Sequence, residues 1–148
     1  HVKIILTKLF RGMSIMIEKT LVLIKPDAVE RNLIGNILVE YERNGLKVLD
    51  MKLIHATTSL AEQHYAEHKG KPFFNRLVSY LTRSPLVALI LEGENVISRV
   101  RTLNGTTDPE TSQDNTIRAL YALSMSENAV HASDSKESAD RERAIWFG

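Results

Sequence analysis

The chain has 148 residues, 43% hydrophobic and 25% charged, which suits one globular domain with a core of its own. Its net charge of +1 gives no field that points to nucleic acid or a membrane surface. Cysteine is absent, which excludes disulfides, thiolate metal sites and cysteine nucleophiles and fits a reducing compartment, so a cytoplasmic location is expected.

Residues 1–15, "HVKIILTKLFRGMSI", are basic and apolar, without the longer apolar centre and small-residue cleavage site of a secretory signal. They are expected to form an extension outside the fold, with the domain over 16–148. No apolar run approaches the length of a membrane span. "TLVLIKP" (20–26) is a short apolar run stopped by Pro26 and reads as a buried strand. Leu33, Ile34, Ile37, Leu38 and Tyr41 then recur at helical spacing, with Gly45 as the expected C-terminal cap. In 46–57, Leu49, Met51, Leu53 and His55 alternate as in a strand. Ser59 and Glu62 form a capping box ahead of another helix. "KPFFNRLVSYLT" opens a further helix with Phe73, Leu77, Tyr80 and Leu81 along one side. "PLVALILEG" (85–93) is a second apolar strand, and Glu94 to Leu103 reads as helix. Residues 104–115 are polar and turn-rich, the kind of long loop that usually carries function. "NAVHA" reads as a last short strand. Ser133 to Ser135 cap a final helix whose apolar side includes Ala139, Ile145 and Trp146. This order predicts an α/β or α+β two-layer domain and leaves parallel and mixed sheets open.

The chain has neither a P-loop nor a GxGxxG motif, so phosphate chemistry would rest on discrete side chains. Lys25 puts an ammonium at the carboxyl end of an apolar strand, where α/β sheets bind ligands, though a solvated strand-end lysine reads the same way. Arg101 and Arg118 flank the polar loop and have the forked donors that grip polyphosphates, or are plain surface arginines. His64 and His68, four apart, share a face of any helix there; they read as exposed histidines, or more weakly as a metal pair. Of Phe73 and Phe74, one is expected in the core, while the other offers a stacking face or packs as well. His131 sits between an apolar pair and a helix cap. A neutral imidazole there is either a half-buried structural group or a nucleophile held by Glu142 of the following helix.

The blocks "TLVLIKPDAVERNLIG", "HYAEHKGKPFF", "LVALILEGENV", "TTDP", "TIR" and "ENAVHASDSKESADRE" stand in an order and spacing that resembles the nucleoside diphosphate kinase family, from Glu18 to the C-terminus. The resemblance implies a ferredoxin-like βαββαβ core with a mostly antiparallel sheet and helices on it. It implies a γ-phosphoryl transfer from a nucleoside triphosphate, ATP, to nucleoside diphosphates, through a phosphohistidine and with Mg²⁺ carried by the phosphates. His131 would be the nucleophile, Glu142 the acid that orients it and Ser133 the serine beside them. Lys25 would meet ribose and phosphate, and Tyr65 would lie near the histidine. Arg101, Thr107 and Arg118 would bind phosphates, Asn128 would reach the ribose, and Phe73 would stack on the base. No dedicated metal ligands, nucleic acid or membrane are implied. The family assembles as tetramers or hexamers, so a homo-oligomer is expected.

The chain departs from the family pattern at four positions. Ala132 stands where Gly follows the histidine, Asn115 where Gly precedes "TIR", Leu120 where Asp follows Arg118, and Asp108 where Asn precedes Pro109. If the backbone at Ala132 needs a positive φ, its Cβ costs about 1 kcal/mol or more. A nucleotide-binding regulatory or scaffold relative with impaired catalysis is the alternative these departures raise.

Overall fold

The structure is a computed structural model that describes residues 17–148. The extension expected over 1–15 lies outside the described residues. Four strands, β1 (Ile17–Ile24), β2 (Lys47–Ile54), β3 (Leu86–Glu94) and β4 (Val130–Ala132), form one sheet in the order β2-β3-β1-β4. Every pairing is antiparallel, which is neither of the two arrangements the spacing left open but is what the resemblance implied, and the strand order is ferredoxin-like. Seven α-helices connect and cover the described strands: α1 (Pro26–Glu30), α2 (Ile34–Glu42), α3 (Thr58–His64), α4 (Phe74–Thr82), α5 (Val96–Asn104), α6 (Ile117–Tyr121) and α7 (Lys136–Phe147). A 3₁₀ turn, Ala66–His68, follows α3.

The two central strands are apolar on both sides because both faces of the sheet are covered. Val22, Ile24, Leu89 and Leu91 pack with Ile37 and Tyr41 of α2 and Val96 and Val100 of α5. Leu21, Leu23, Leu86 and Ala88 face the other way, onto Phe74, Val78 and Leu81 of α4 and Trp146 of α7. Leu23 pairs with His131 across β1 and β4, so the histidine rises on this second face, edge-on to His64, which in turn meets Trp146.

Edge strand β2 shows how little alternation says about direction. Its row of Leu49, Met51 and Leu53 is exposed to 40, 51 and 64%, while Val48, Lys52 and Ile54 are the half-buried ones. A register irregularity between Val48 and Asp50 lies within this pairing.

Local chemistry moves several expected boundaries. Helix α2 closes as a Schellman motif: Gly45, at φ +80, donates to Glu42 O, and Leu46 N–H donates to Tyr41 O. The cap of α3 is Thr57, whose hydroxyl accepts Leu60 N–H at 3.1 Å; Ser59 lies inside the helix and accepts from Gln63 instead. Glu94 belongs to β3, not to the helix expected there, because Asn95 takes a left-handed φ of +52 and α5 starts only at Val96. Helix α4 has two useful faces: Phe74, Val78 and Leu81 enter the core, while Phe73 and Leu77 line a cavity. The short helices α1 and α6, the latter capped by the Thr116 hydroxyl, lie outside the expected set.

The centre of β3 carries both apolar layers, and truncation there should leave a void. Leu89→Ala is expected to cost about 2–5 kcal/mol. The denaturant midpoint should fall with an unchanged slope, measured by urea unfolding.

Candidate active site

Strand β4 is three residues long and is paired to the carboxyl half of β1. It ends at Ala132, and Ser135 then caps α7, its hydroxyl accepting Ser138 N–H at 3.1 Å. This tight reversal folds α7 back so that Glu142 meets His131: Glu142 Oε1 lies 2.7 Å from His131 Nε2. Ser133, fully buried, donates its hydroxyl to the same oxygen at 2.8 Å. Arg141 lies 3.5 Å from the other oxygen, Oε2. Burial alone would raise the Glu142 pKa, but the hydrogen bonds of His131 and Ser133 and the charge of Arg141 outweigh it and hold the carboxyl below its usual range. The group is therefore an ionised acceptor, and Nε2 is the donor. A neutral His131 then carries its proton on Nε2 and keeps a lone pair on Nδ1.

His131 opens onto a cavity of about 460 Å³. Lys25, Tyr65, Phe73, Arg101, Thr107, Arg118, Asn128 and Glu142 share its wall with the histidine, so the fold gathers nearly all the residues singled out in the sequence. Ser133 is the exception and acts from behind. Four cations line this cavity: Lys25, Arg101, Arg118 and Arg141. Burial pushes Lys25 down to a pKa of about 8, the Arg118 charge pushes it the same way, and Asp27 partly opposes them. Arg118 is itself lowered by burial. It donates Nη1 to Gly105 O and Nη2 to Val130 O, both at 2.8 Å, which ties the polar loop to β4. Arg101 donates to Ala132 O at 3.3 Å. Arg118 Nε and Asn128 Oδ1 are buried without a hydrogen-bond partner among the described residues, an uncommon state for buried polar atoms. Burial raises the Tyr65 pKa, so its phenol stays protonated.

Phe73 is half-exposed on the cavity wall while Phe74 is buried, the division expected of that pair. The polar loop is held by its own hydroxyls: Thr106 Oγ1 donates to Asp108 O at 2.9 Å, and Ser112 Oγ donates to Thr106 O at 2.9 Å. Gly105 is required at its φ of +86, since a Cβ would sit 2.6 Å from Thr116 Oγ1.

The reading of His64 and His68 is corrected. Helix α3 ends at His64, the chain turns at Tyr65, and His68 sits on the 3₁₀ turn, so the two do not share one helix. His64 is not exposed: it is 5% accessible, stacks edge-on to His131 with ring centroids 4.5 Å apart, and accepts the Trp146 indole N–H at 3.1 Å on Nδ1. Burial, then the neighbouring charges, push its pKa well below the ordinary value. His64, His131 and Glu142 have potential ligand atoms within 4.8 Å of one another, but Glu142 Oε1 and His64 Nδ1 already hold hydrogen bonds. His64, Leu77, Met125 and Arg141 also line the cavity and were not picked out as part of a nucleotide site. The adjacent Tyr65 was the available signal for His64.

The four departures are absorbed locally. Ala132 lies in extended β4, is not among the positive-φ residues, and packs its methyl in the core. Asn115 does take a positive φ, +71, which asparagine tolerates. Asp108 accepts Glu110 N–H at 3.0 Å within its own turn. Leu120 is half-exposed on α6.

Comparison with known proteins agrees with this geometry. The profile of the family described as "Nucleoside diphosphate kinase" matches residues 18–148. The chain is similar to the nucleoside diphosphate kinase of Clostridium perfringens, 60% identical over 131 residues, covering 88% of this chain and 92% of that protein. It is similar to that of Pyrococcus abyssi at 53% identity over 133 residues, covering 88% and 84%. Its structure is similar to an orthorhombic crystal form of the Aquifex aeolicus nucleoside diphosphate kinase, with a TM-score of 0.87 at 39% identity, covering 90% and 96%.

With a pKa near 8, Lys25 is mostly protonated at pH 7 and mostly neutral at pH 9. The affinity of the free protein for ADP should therefore fall, by roughly tenfold, as pH rises through about 8, as one charge-assisted contact is lost. Calorimetric titration with ADP from pH 7 to 9.5 checks this. Lys25→Arg should remove the break at that pH.

Proposed function

This chain belongs to the nucleoside diphosphate kinase family, and we propose that His131 is its nucleophile and that the residues around the cavity divide the work of one ping-pong cycle. The chain transfers the γ-phosphoryl group of a nucleoside triphosphate to a nucleoside diphosphate. The observation that carries the assignment is the 2.7 Å contact of His131 Nε2 with Glu142, which leaves Nδ1 as the nucleophilic atom on the cavity side.

In the first half-cycle the Nδ1 lone pair attacks the γ-phosphorus. The bond from that phosphorus to the β–γ bridging oxygen breaks, and the nucleoside diphosphate leaves with the electron pair. In the second half-cycle a terminal β-phosphate oxygen of the acceptor attacks the same phosphorus, and the P–N bond returns its pair to Nδ1. Glu142 takes the Nε2–H hydrogen bond throughout and stabilises the ring as it becomes cationic, and Ser133 keeps the carboxylate in register. Lys25, Arg101 and Arg118 meet charge on the phosphate oxygens, Tyr65 and Thr107 add neutral donors, and Asn128 Oδ1 accepts a ribose hydroxyl. Phe73 stacks on the base, and stacking discriminates little among bases.

ATP is the donor in this reading, and the substrate is its Mg²⁺ complex, with the ion on the phosphates. The cationic side chains at the cavity wall support a polyphosphate substrate, and the ion would arrive on it. The exposed apolar row of β2 supports assembly into a homo-oligomer, a tetramer or hexamer, with residues 16–148 as the catalytic unit. Action in the cytoplasm accords with a chain free of cysteine. No helix among the described residues is long and apolar enough to cross a membrane.

Incubation with Mg²⁺ and γ-labelled ATP should give one acid-labile phosphate on the wild-type chain. His131→Ala should lose it entirely while still folding, with a lowered unfolding midpoint because Glu142 loses a buried partner. Glu142→Gln should slow phosphoenzyme formation by roughly 10²-fold, the scale of a lost positioned proton partner. Nucleotide binding without any phosphohistidine on the wild-type chain would instead favour a non-catalytic relative.

A further inference from the structure

Ala129, two residues before His131, is fully buried and has φ +73. Residues with a Cβ avoid that region. Val130 N–H donates to Asn128 O at 2.9 Å, closing a three-residue turn around Ala129, the rare and strained form of γ-turn. A buried strained backbone persists only where its surroundings over-determine it. Here one segment at the end of β1 holds both polar groups of the residue. The Ala129 carbonyl accepts Lys25 N–H at 2.8 Å, and its N–H donates to Asp27 Oδ2 at 3.1 Å.

Asp27 is 1% accessible. Its Oδ1 accepts the Tyr80 hydroxyl from α4, and Arg31 Nη2 lies 3.5 Å from Oδ2. The residue is not part of the cavity wall; it reaches the chemistry through the backbone it holds and, more weakly, through its charge near Lys25. Three donors converge on this side chain, which suits an acceptor-only carboxylate; an amide has one acceptor oxygen and turns a competing donor toward the others.

We propose that Asp27 is a positioning residue for His131: its carboxylate holds Ala129 in the left-handed turn from which β4 departs, and so sets the aim of Nδ1 at the phosphorus. The proposal rests on His131 as nucleophile. The "KPD" segment thus serves the site twice, with Lys25 toward the phosphates and Asp27 toward the nucleophile's backbone.

The test compares single-turnover phosphorylation by Mg²⁺-ATP with ADP affinity, in wild type, Asp27→Asn, Ala129→Gly and the double variant. Asp27→Asn should phosphorylate at least tenfold more slowly, with the ADP Kd within twofold. Ala129→Gly alone should stay within twofold of wild type. In the double variant the glycine should recover most of the lost rate, because it takes a positive φ without help from the carboxylate. Should Asp27→Asn not fold, Tyr80→Phe carries the same comparison: it frees one carboxylate oxygen, should slow phosphorylation by a smaller factor, and should be rescued by Ala129→Gly. A folded Asp27→Asn with the wild-type phosphorylation rate would overturn the proposal. So would a rate loss that the glycine leaves in place, which would assign Asp27 to the charge of Lys25 instead. A wild-type chain that forms no phosphohistidine would sink the nucleophile assignment beneath it, a result separable from both.

Discussion

The short contact between a buried carboxylate and one nitrogen of a half-exposed imidazole is the constraint on which the rest of the structure depends. Glu142 is 5% accessible, and an unpaired charge at such depth would be costly. His131 and Ser133 both direct hydrogens at one of its oxygens, and Arg141 stands near the other. To build that group the chain must end β4 right after the histidine, reverse within three residues and begin α7 at once. Ser133 to Ser135 do all of this. The first serine supports the carboxylate and the last caps the helix. Position 142 then falls on the face of α7 that looks back at β4.

The rest of the cavity wall is built from the reverse problem, an excess of positive charge. Lys25, Arg101 and Arg118 sit close enough that burial and mutual repulsion lower both Lys25 and Arg118. Part of the cost is met by backbone carbonyls: Gly105, Val130 and Ala132 each accept from an arginine. These contacts also tie the polar loop and α5 to β4, so the cations brace the strand that carries the histidine. A polyphosphate entering this cavity supplies the charge that the protein itself does not.

How much of this was legible in the sequence follows from what each signal measures. Strands β1 and β3 were plain because both their faces are buried, and a run such as "LVALIL" has few other uses. Alternation in β2 located the strand but could not say which face was covered; Leu49, Met51 and Leu53 point away from the core. Cap chemistry was nearly degenerate around 57–59, where three hydroxyl residues compete and only geometry selects Thr57. Lys25, Arg101, Arg118, His131 and Glu142 were singled out by residue chemistry and Tyr65, Thr107 and Asn128 by family-like blocks, each read within its own stretch of chain. Contacts between blocks were not legible. His64 meets Trp146 from 82 positions away, and Ala129 meets Asp27 from 102. Neither pairing leaves a local trace, and the four-residue spacing of His64 and His68 pointed the wrong way.

The neighbour of His131 on its buried side completes the physical picture. Indole N–H is only a donor, so Trp146 fixes His64 as the tautomer with its acceptor on Nδ1. With burial and the nearby His131 and Lys25 charges also opposing protonation, His64 stays neutral. A cation there would compete for Glu142 and would repel the imidazolium character that the proposed phosphoryl transfer gives His131. A neutral ring packed edge-on instead limits rotation of the nucleophile without altering its charge. The same logic accounts for the hydrocarbon and aromatic packing behind the histidine and the charge in front of it. Among the described residues Glu142 is the one ionised group hydrogen-bonded to the imidazole, a fixed partner against which the proposed cycle would charge and discharge the ring.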